Sequence, residues 1–596
     1  MASMASFSCS ITHLKNRHDT HRLVNIQKPQ YSSQTTSKQV HRVTVKAVET
    51  AELPVARRSA NYAPSIYSFE YIQSLSTEYL GEDYKARANS LKDKVKMMLH
   101  EVESPLSALE LVDNLQRLGI SYHFDDEIRS LLEVVYDTYY KTQDKWNAMD
   151  LNLKALGFRL MRQHGFHVPQ EIFDNFKDIT ENLKPESRED VLVILNLYEA
   201  SYHLFDNESI LDDALEFTTK YLKENLEKMD ESISTLASHA LELPLHWRLP
   251  RVEAQWFIDV YEKRSDNNPT LLELAKLDYN MLQAVHIEDL KHQSMWWENT
   301  KWVSKLSFIR DSLVPSFLWG LGFGYLPHYS TGRRALAKIV TLTTAIDDVY
   351  DIYATLDELE KFTDAIDRWD IHALEGLPDY MKICFLGYYN TINEIAYNTL
   401  ADTNILNLTY LRKALADLCH AYLVEARWYY SGYKPTFQEY MKTASISVAG
   451  PLILAHLKFE TSVHATSEVL ERMTEFEAID RYSSIVLRLT DDLGTSTDEL
   501  ARGDILKSIQ CYMRDTGSNE EEARNHMKEL ILDAWKKINK ERARADTQFS
   551  REYVEYASNM ARTGQFMYRE GDGHARPEIN KSHLSTLLFN PIQLTK

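Results

Sequence analysis

The chain has 596 residues, 44% hydrophobic and 26% charged, with a formal net charge of −20. That length exceeds one compact domain and predicts two or three, and the acidic balance disfavours a nucleic-acid partner, whose phosphates it repels. No run of about 18 apolar residues reads as a membrane span, and Cys9, Cys384, Cys419 and Cys511 lie too far apart for a CxxC zinc site or a disulfide framework.

Only 18 Gly and 16 Pro punctuate the chain. So few turn-formers over such a length predict long helices with short connections. The 34 Tyr, 21 Phe and 10 Trp suit helical cores, and would also suit a pocket that holds a cation.

The first fifty or so residues stand apart. They are rich in Ser and Thr and carry Lys15, Arg17, Arg22, Lys28, Lys38, Arg42 and Lys46, with Asp19 the one acid before Glu49. This is the composition of an organellar transit peptide without the apolar core of a secretory signal; an untargeted tail is the alternative. Composition does not separate chloroplast from mitochondrion. The expected tail is 1–56.

From Tyr67 onward the apolar spacing is helical. Leu211 to Met229 places Leu211, Leu215, Leu222, Leu226 and Met229 on one stripe. The run Ser265-Asp266-Asn267-Asn268-Pro269 breaks the pattern, which divides the chain into helical domains at 57–265 and 266–596. There is no fixed-period repeat.

The second domain carries two clusters of oxygen donors. Asp347, Asp348 and Asp351 form DDVYD after an apolar run. On a helix Asp351 neighbours both Asp347 and Asp348. Three adjoining carboxylates repel one another unless cations neutralise them, and oxygen ligands suit magnesium bridged to phosphates; a solvated acidic helix end is the alternative. Asp491, Thr495 and Glu499 follow in RLTDDLGTSTDE at i, i+4 and i+8, on one helical face. They suit magnesium or manganese; a helix cap at Thr495 and Asp498 is the alternative. Arg310, Arg488 and Lys507 accompany the clusters and are candidates to bind a diphosphate leaving group; singly, each would serve as well in an ion pair.

These motifs resemble the plant terpene synthase family. Asp347, Asp348 and Asp351 match its DDxxD motif; Asp491, Thr495 and Glu499 match its second metal motif; RRSANYAPSIY, from Arg57, resembles RR(x)8W. The resemblance covers nearly the whole chain after the tail. It implies an all-α fold of two helical domains, an α-barrel-like N-terminal domain whose first segment caps the site and a C-terminal class I terpenoid synthase bundle. It further implies three Mg2+ ions, or Mn2+, between the acidic clusters and a prenyl diphosphate. Arg310, Arg488 and Lys507 occupy diphosphate-binding positions; Trp319, Tyr429 and Tyr568 fall where the family lines its pocket with aromatics, core packing being the other reading for each. The implied enzyme is a plastid monoterpene synthase acting on geranyl diphosphate, expected as a monomer.

Neither His123-Phe124-Asp125-Asp126 nor Asp212-Asp213 provides the DxDD of a protonation-initiated cyclase. Both read as polar helix ends, so ionisation is expected to start the reaction. Two departures bear on product. Position 67 is Tyr where the family motif ends in Trp, and the family's RDR triplet reads Arg310-Asp311-Ser312. Weaker capping and weaker diphosphate retention favour early termination, hence an acyclic product such as linalool, myrcene or ocimene; a cyclic monoterpene, isoprene or a sesquiterpene are the alternatives within the family. A chain-elongating prenyltransferase would need a second DDxxD, and a non-catalytic helical protein would not need intact metal positions.

Overall fold

Helix starts are written into the sequence as polar caps. Ser104, Asp150, Ser187, Asp230 and Ser550 each accept a backbone N–H of the following first turn, satisfying donors that the helix itself leaves free. Thr355 with Glu358, and Asn519 with Glu522, form reciprocal capping boxes. The result, in a computed structural model, is helical throughout, with no strand among the described residues. The structure describes residues 57–596 apart from 147, 182, 461–476, 545–549, 577 and 595–596; the expected transit segment 1–56 lies outside them. Residues 57–596 form one compact unit. Among the described residues no helix is long and apolar enough to cross a membrane.

Two large hydrophobic cores organise the helices. One gathers apolar residues from Ala88 to Tyr279; the other runs mainly from Leu290 to Leu588. The break at Ser265–Pro269 is a turn, with Asn268 accepting from the N–H groups of Thr270 and Leu271. The change of core comes later, however. The helix Pro269–Thr300 has 32 residues, roughly 48 Å of rise. Its Leu271, Leu274 and Tyr279 still pack in the first core, whereas Leu290 and Trp297 pack in the second. Conversely Tyr67 and Ile72, early in the chain, belong to the second core.

The stripe expected from Leu211 to Met229 packs as its spacing implies: Leu211 joins the first core, and Leu222 and Met229, with Leu215 and Leu226 half-buried beside them, form a smaller one. The helix is Ser209–Asn225, and it buries Leu211, Ala214, Thr218 and Leu222. Thr218 fits that apolar face because its hydroxyl donates to Ala214 O at 2.7 Å. Asp125, Asp126 and Asp212 lie in first helical turns, where carboxylates complement the helix dipole.

Helices Leu313–Phe323, Ser330–Asp348, Leu408–Ser431, Gly450–Glu460, Ala478–Ala501 and Arg551–Tyr568 surround the candidate site. Gly494 permits one close approach of backbone to backbone among them. A Cβ there would stand 2.5 Å from Tyr568 O, so only glycine lets the helix bearing Asp491 lie directly on the helix that ends at Tyr568.

Candidate active site

Two walls carry the oxygen donors. Ser330–Asp348 is buried along most of its length and delivers Asp347 at its last turn; the chain then widens into one π turn, Val349–Tyr353, which holds Asp351. Such a turn re-aims side chains and is common at functional sites. The opposite helix, Ala478–Ala501, presents Asp491, Thr495 and Glu499 on successive turns. All five line one cavity, as do Arg310, Arg488 and Lys507.

The second aspartate of each pair turns away. Asp348, expected among the metal ligands, is fully buried and does not line the cavity. Its Oδ2 accepts the backbone N–H of Arg310 at 2.8 Å, and its Oδ1 lies 2.9 Å from Arg310 Nε. Asp492 does the same on the other wall, accepting Ser508 N and the Tyr440 hydroxyl, each at 3.0 Å. Consecutive helical residues point about 100° apart, so one aspartate can face the cavity while its neighbour anchors the backbone beside a cation. Asp348 therefore positions Arg310, and Asp492 positions the Lys507–Ser508 junction.

The cations sit among the carboxylates. Arg310 Nη2 donates to Asp347 at 2.5 Å. Arg488 Nη1 donates to Asp491 at 2.8 Å, and its Nε to Ala444 O at 3.1 Å. Lys507 Nζ lies 3.0 Å from Asp504 and 3.4 Å from Glu499. Burial, together with Asp347 and Asp504, pushes the Asp351 carboxyl well above the usual range. Burial does the same to Asp491 against the pull of Arg488. Glu499 Oε2 is buried without a hydrogen-bond partner.

This donor set fits divalent cations. Among the described residues no group of three His, Cys, Asp or Glu side chains forms a ready-made ion cage. The carboxylates stand instead on two walls, so an ion held by one or two of them completes its shell with water and phosphate oxygens, the habit of magnesium.

The aromatic candidates divide. Trp319 and Tyr568 line the cavity, with ring centroids 6.1 Å apart. Tyr429 does not; its ring lies under the Arg58 guanidinium, 4.0 Å from Cζ to the centroid. Several lining residues carry no motif, among them Glu425, Asp572 and His574. Asp572 and His574 lie in GDGH, just after the helix that supplies Tyr568; an acid and a His following a helix end are the one available signal. Trp319 Nε1 donates to His574 Nδ1 at 3.2 Å, so His574 Nε2, 2.8 Å from Thr344 Oγ1, carries the ring proton. Burial, with Arg310, lowers His574 to about 4. The ring is neutral and both its nitrogens are engaged.

The N-terminal segment reaches this same site. Arg57 pairs with Glu358 through two bonds of 2.8 and 2.9 Å. Arg58 donates to Asp351 O. Tyr62, in the stretch between Arg58 and Tyr67, lies against Arg310, with the guanidinium 5.1 Å from the ring centroid. Tyr67 is 8% exposed and packs on Phe589.

The chain is similar in sequence and fold to known proteins. Residues 66–241 match the family model described as terpene synthase, N-terminal domain, and residues 298–537 that of the terpene synthase family, metal binding domain. R-linalool synthase QH1, chloroplastic, from Artemisia annua is 56% identical over 94% of this chain and 98% of its own length. The crystal structure of limonene synthase with 2-fluorolinalyl diphosphate superposes with a TM-score of 0.87 at 40% identity, covering 90% of this chain and 100% of that one. Isoprene synthase from grey poplar leaves (Populus x canescens), in complex with three Mg2+ ions and dimethylallyl-S-thiolodiphosphate, superposes with a TM-score of 0.81 at 40% identity, covering 89% and 100%.

Proposed function

The chain belongs to the terpene synthase family, and from that premise we propose that it is a plastid monoterpene synthase converting geranyl diphosphate to an acyclic monoterpene, linalool first among the candidates. The observation that carries the reading is the pair of facing walls, Asp347 and Asp351 opposite Asp491, Thr495 and Glu499, with Arg310, Arg488 and Lys507 between them. The five oxygen donors would hold three Mg2+ ions, Mn2+ serving as a substitute, and the ions would supply Lewis acidity to the departing diphosphate.

The protein's own groups account for the rest. Arg310, Arg488 and Lys507 bind and orient the diphosphate, and their fixed positive charge stabilises negative charge as the allylic C–O bond breaks. Asp348 and Asp492 hold these cations in place. Trp319 and Tyr568, on the cavity wall, supply aromatic rings whose negative quadrupole stabilises a carbocation. The strap Arg57–Tyr67 closes the mouth and keeps stray water out. For linalool one water admitted to the cavity adds to the allylic cation and then loses a proton, whereas for myrcene or ocimene the cation itself loses it; both His574 nitrogens are engaged, and the released diphosphate is a base within reach of that proton.

Acyclic termination is favoured by Ser312, which replaces the second arginine of the family's RDR triplet and removes one planar donor for the diphosphate. Likeness to R-linalool synthase QH1 points the same way. A chain-elongating prenyltransferase is disfavoured by the Thr/Glu form of the second motif. We further propose removal of a transit peptide near residue 56 and a monomeric enzyme.

The test is product analysis by gas chromatography and mass spectrometry, supplying magnesium with geranyl, farnesyl or dimethylallyl diphosphate in turn. An acyclic ten-carbon product from geranyl diphosphate is expected. No volatile product from any of the three, with folded protein, would overturn the reading.

A further inference from the structure

Helices Pro105–Arg117, Leu151–Gln163 and Pro250–Glu262 meet helix Arg551–Tyr568 around a second cavity, of about 100 Å³. It shares no lining residue with the carboxylate cavity. Four guanidinium groups face it, from Arg117, Arg159, Arg248 and Arg562, against the carboxylates of Glu253 and Glu555.

The surrounding charges do not balance. Arg159 pairs with Asp113 at 2.5 Å and Arg117 with Glu253 at 2.9 Å, while Glu555 bridges Arg542 and Arg562 at 2.6 Å each. Five guanidinium groups, none with a side chain more than 20% exposed, thus meet three carboxylates. Two further acids reduce the excess without removing it. Glu242 is 47% exposed and is shared between Arg248 and Arg569. Glu199 accepts the Leu245 N–H at 2.8 Å, and burial pushes its carboxyl up to about 7, leaving it partly charged. His203 and His246 adjoin the cavity as neutral rings, kept so by burial and the neighbouring arginines.

Excess buried positive charge is strongly unfavourable unless an anion offsets it. One donor shows where that anion would sit. Arg159 is 3% exposed, and its Nε is buried with no hydrogen-bond partner among the described residues. Gln116 Oε1 is similarly buried and unpartnered, while its Nε2 lies 2.8 Å from His164 Nε2. Turning that amide over presents an N–H2 to the cavity, and a neutral His164 serves either orientation. The volume exceeds what one water needs and accommodates a tetrahedral ion. A larger cavity, about 870 Å³, shares Arg117, Leu245, Arg248 and Glu253 with it and offers an approach.

We propose that this cavity is a binding site for a small inorganic oxyanion of the phosphate type, held by Arg159 with Arg117, Arg248 and Arg562. The bound ion ties the N-terminal helices to the helix that carries Tyr568, at a place separate from the chemistry.

The test is thermal unfolding of the full chain in EDTA at fixed ionic strength, exchanging gluconate for inorganic phosphate, with chloride as a parallel arm. A saturable rise in Tm of about 2–4 °C is expected with phosphate. Arg159→Gln should abolish the rise and leave terpene-forming kcat within about twofold of the parent. Arg310→Gln, altered in the other cavity, should retain it. Should Arg159→Gln fail to fold, an anomalous arsenate peak between Arg159 and Arg562 in crystals of the unaltered protein gives the same answer. Saturation by chloride but not phosphate would overturn the oxyanion assignment. An unsaturable salt response, or only ordered water in that density, would overturn the site.

Discussion

Arg58 donates a hydrogen bond to the backbone carbonyl of Asp351, a residue 293 positions further along the chain. The guanidinium also lies over the Tyr429 ring, so the strap is fastened to the π turn that carries one of the proposed metal ligands. Replacing Arg58 by Lys removes the planar fork and most of the stacking. The expected outcome is a fall in kcat/KM of about tenfold and a broader product mixture, with Tm nearly unchanged. Steady-state kinetics with product profiling checks it; unaltered kinetics would show that the strap does not govern closure.

Asp347 and Asp348 should respond differently to the same change. Asp347→Asn removes a carboxylate from the cavity wall, and activity should fall by about a thousandfold or more, with a higher magnesium requirement. Asp348→Asn leaves the wall intact but loosens Arg310. Its expected signature is a raised KM for substrate at an unchanged apparent affinity for magnesium. Titrating magnesium against rate for both variants separates the two roles.

Converting Ser312→Arg together with Tyr67→Trp restores the family pattern at both departures. The share of cyclic monoterpenes should rise. Ser312 is 2% exposed and Tyr67 8%, so some loss of stability from overpacking, about 1–3 kcal/mol, is expected alongside. A product profile that stays unchanged in folded protein would remove the proposed link between these positions and early termination.

Glu253 predicts an acid limit on stability. Burial alone would raise its pKa, but Arg117, His239 and Arg248 together outweigh that and hold it down to about 2, against 4.5 for the free side chain. A carboxylate depressed in the folded state contributes its stability above the unfolded pKa and loses it as pH falls through the folded value. The contribution, about 3 kcal/mol from a shift of that size, should therefore disappear between about pH 4.5 and 2. Chemical denaturation across that window should show a smaller acid loss in Glu253→Gln, which starts less stable at pH 7.

Much of the fold was legible in the chain because helices are local. The caps at Ser104, Asp150 and Thr355, the scarcity of Gly and Pro, and the break before Pro269 each act within a few residues. The spacing of Asp491, Thr495 and Glu499 likewise fixes a common helical face without reference to any other element. The stripe from Leu211 to Met229 is legible for the same reason, and all five of its residues pack in hydrophobic cores, but its spacing does not announce Ala214 and Thr218 beside them. Which face of an amphipathic helix is buried depends on its neighbours, and Ala214 and Thr218 are chosen by packing as much as by hydrophobicity.

What tertiary structure alone decided is the division of labour inside the motifs. The sequence offers Asp347 and Asp348 as equivalent carboxylates, and it gives Asp492 no role beside Asp491. Only the packed helices turn one of each pair into the cavity and the other onto a backbone N–H, because helical neighbours cannot share a direction. The same holds for Tyr429, drawn under Arg58 rather than into the pocket, and for His574 and Asp572, which line the cavity just beyond the helix that ends at Tyr568. The chain by itself determined which chemistry it can perform, since that needs only residue types at fixed local spacing. Where each group points, and which cations stand beside it, depends on contacts between residues hundreds of positions apart, which local spacing does not encode.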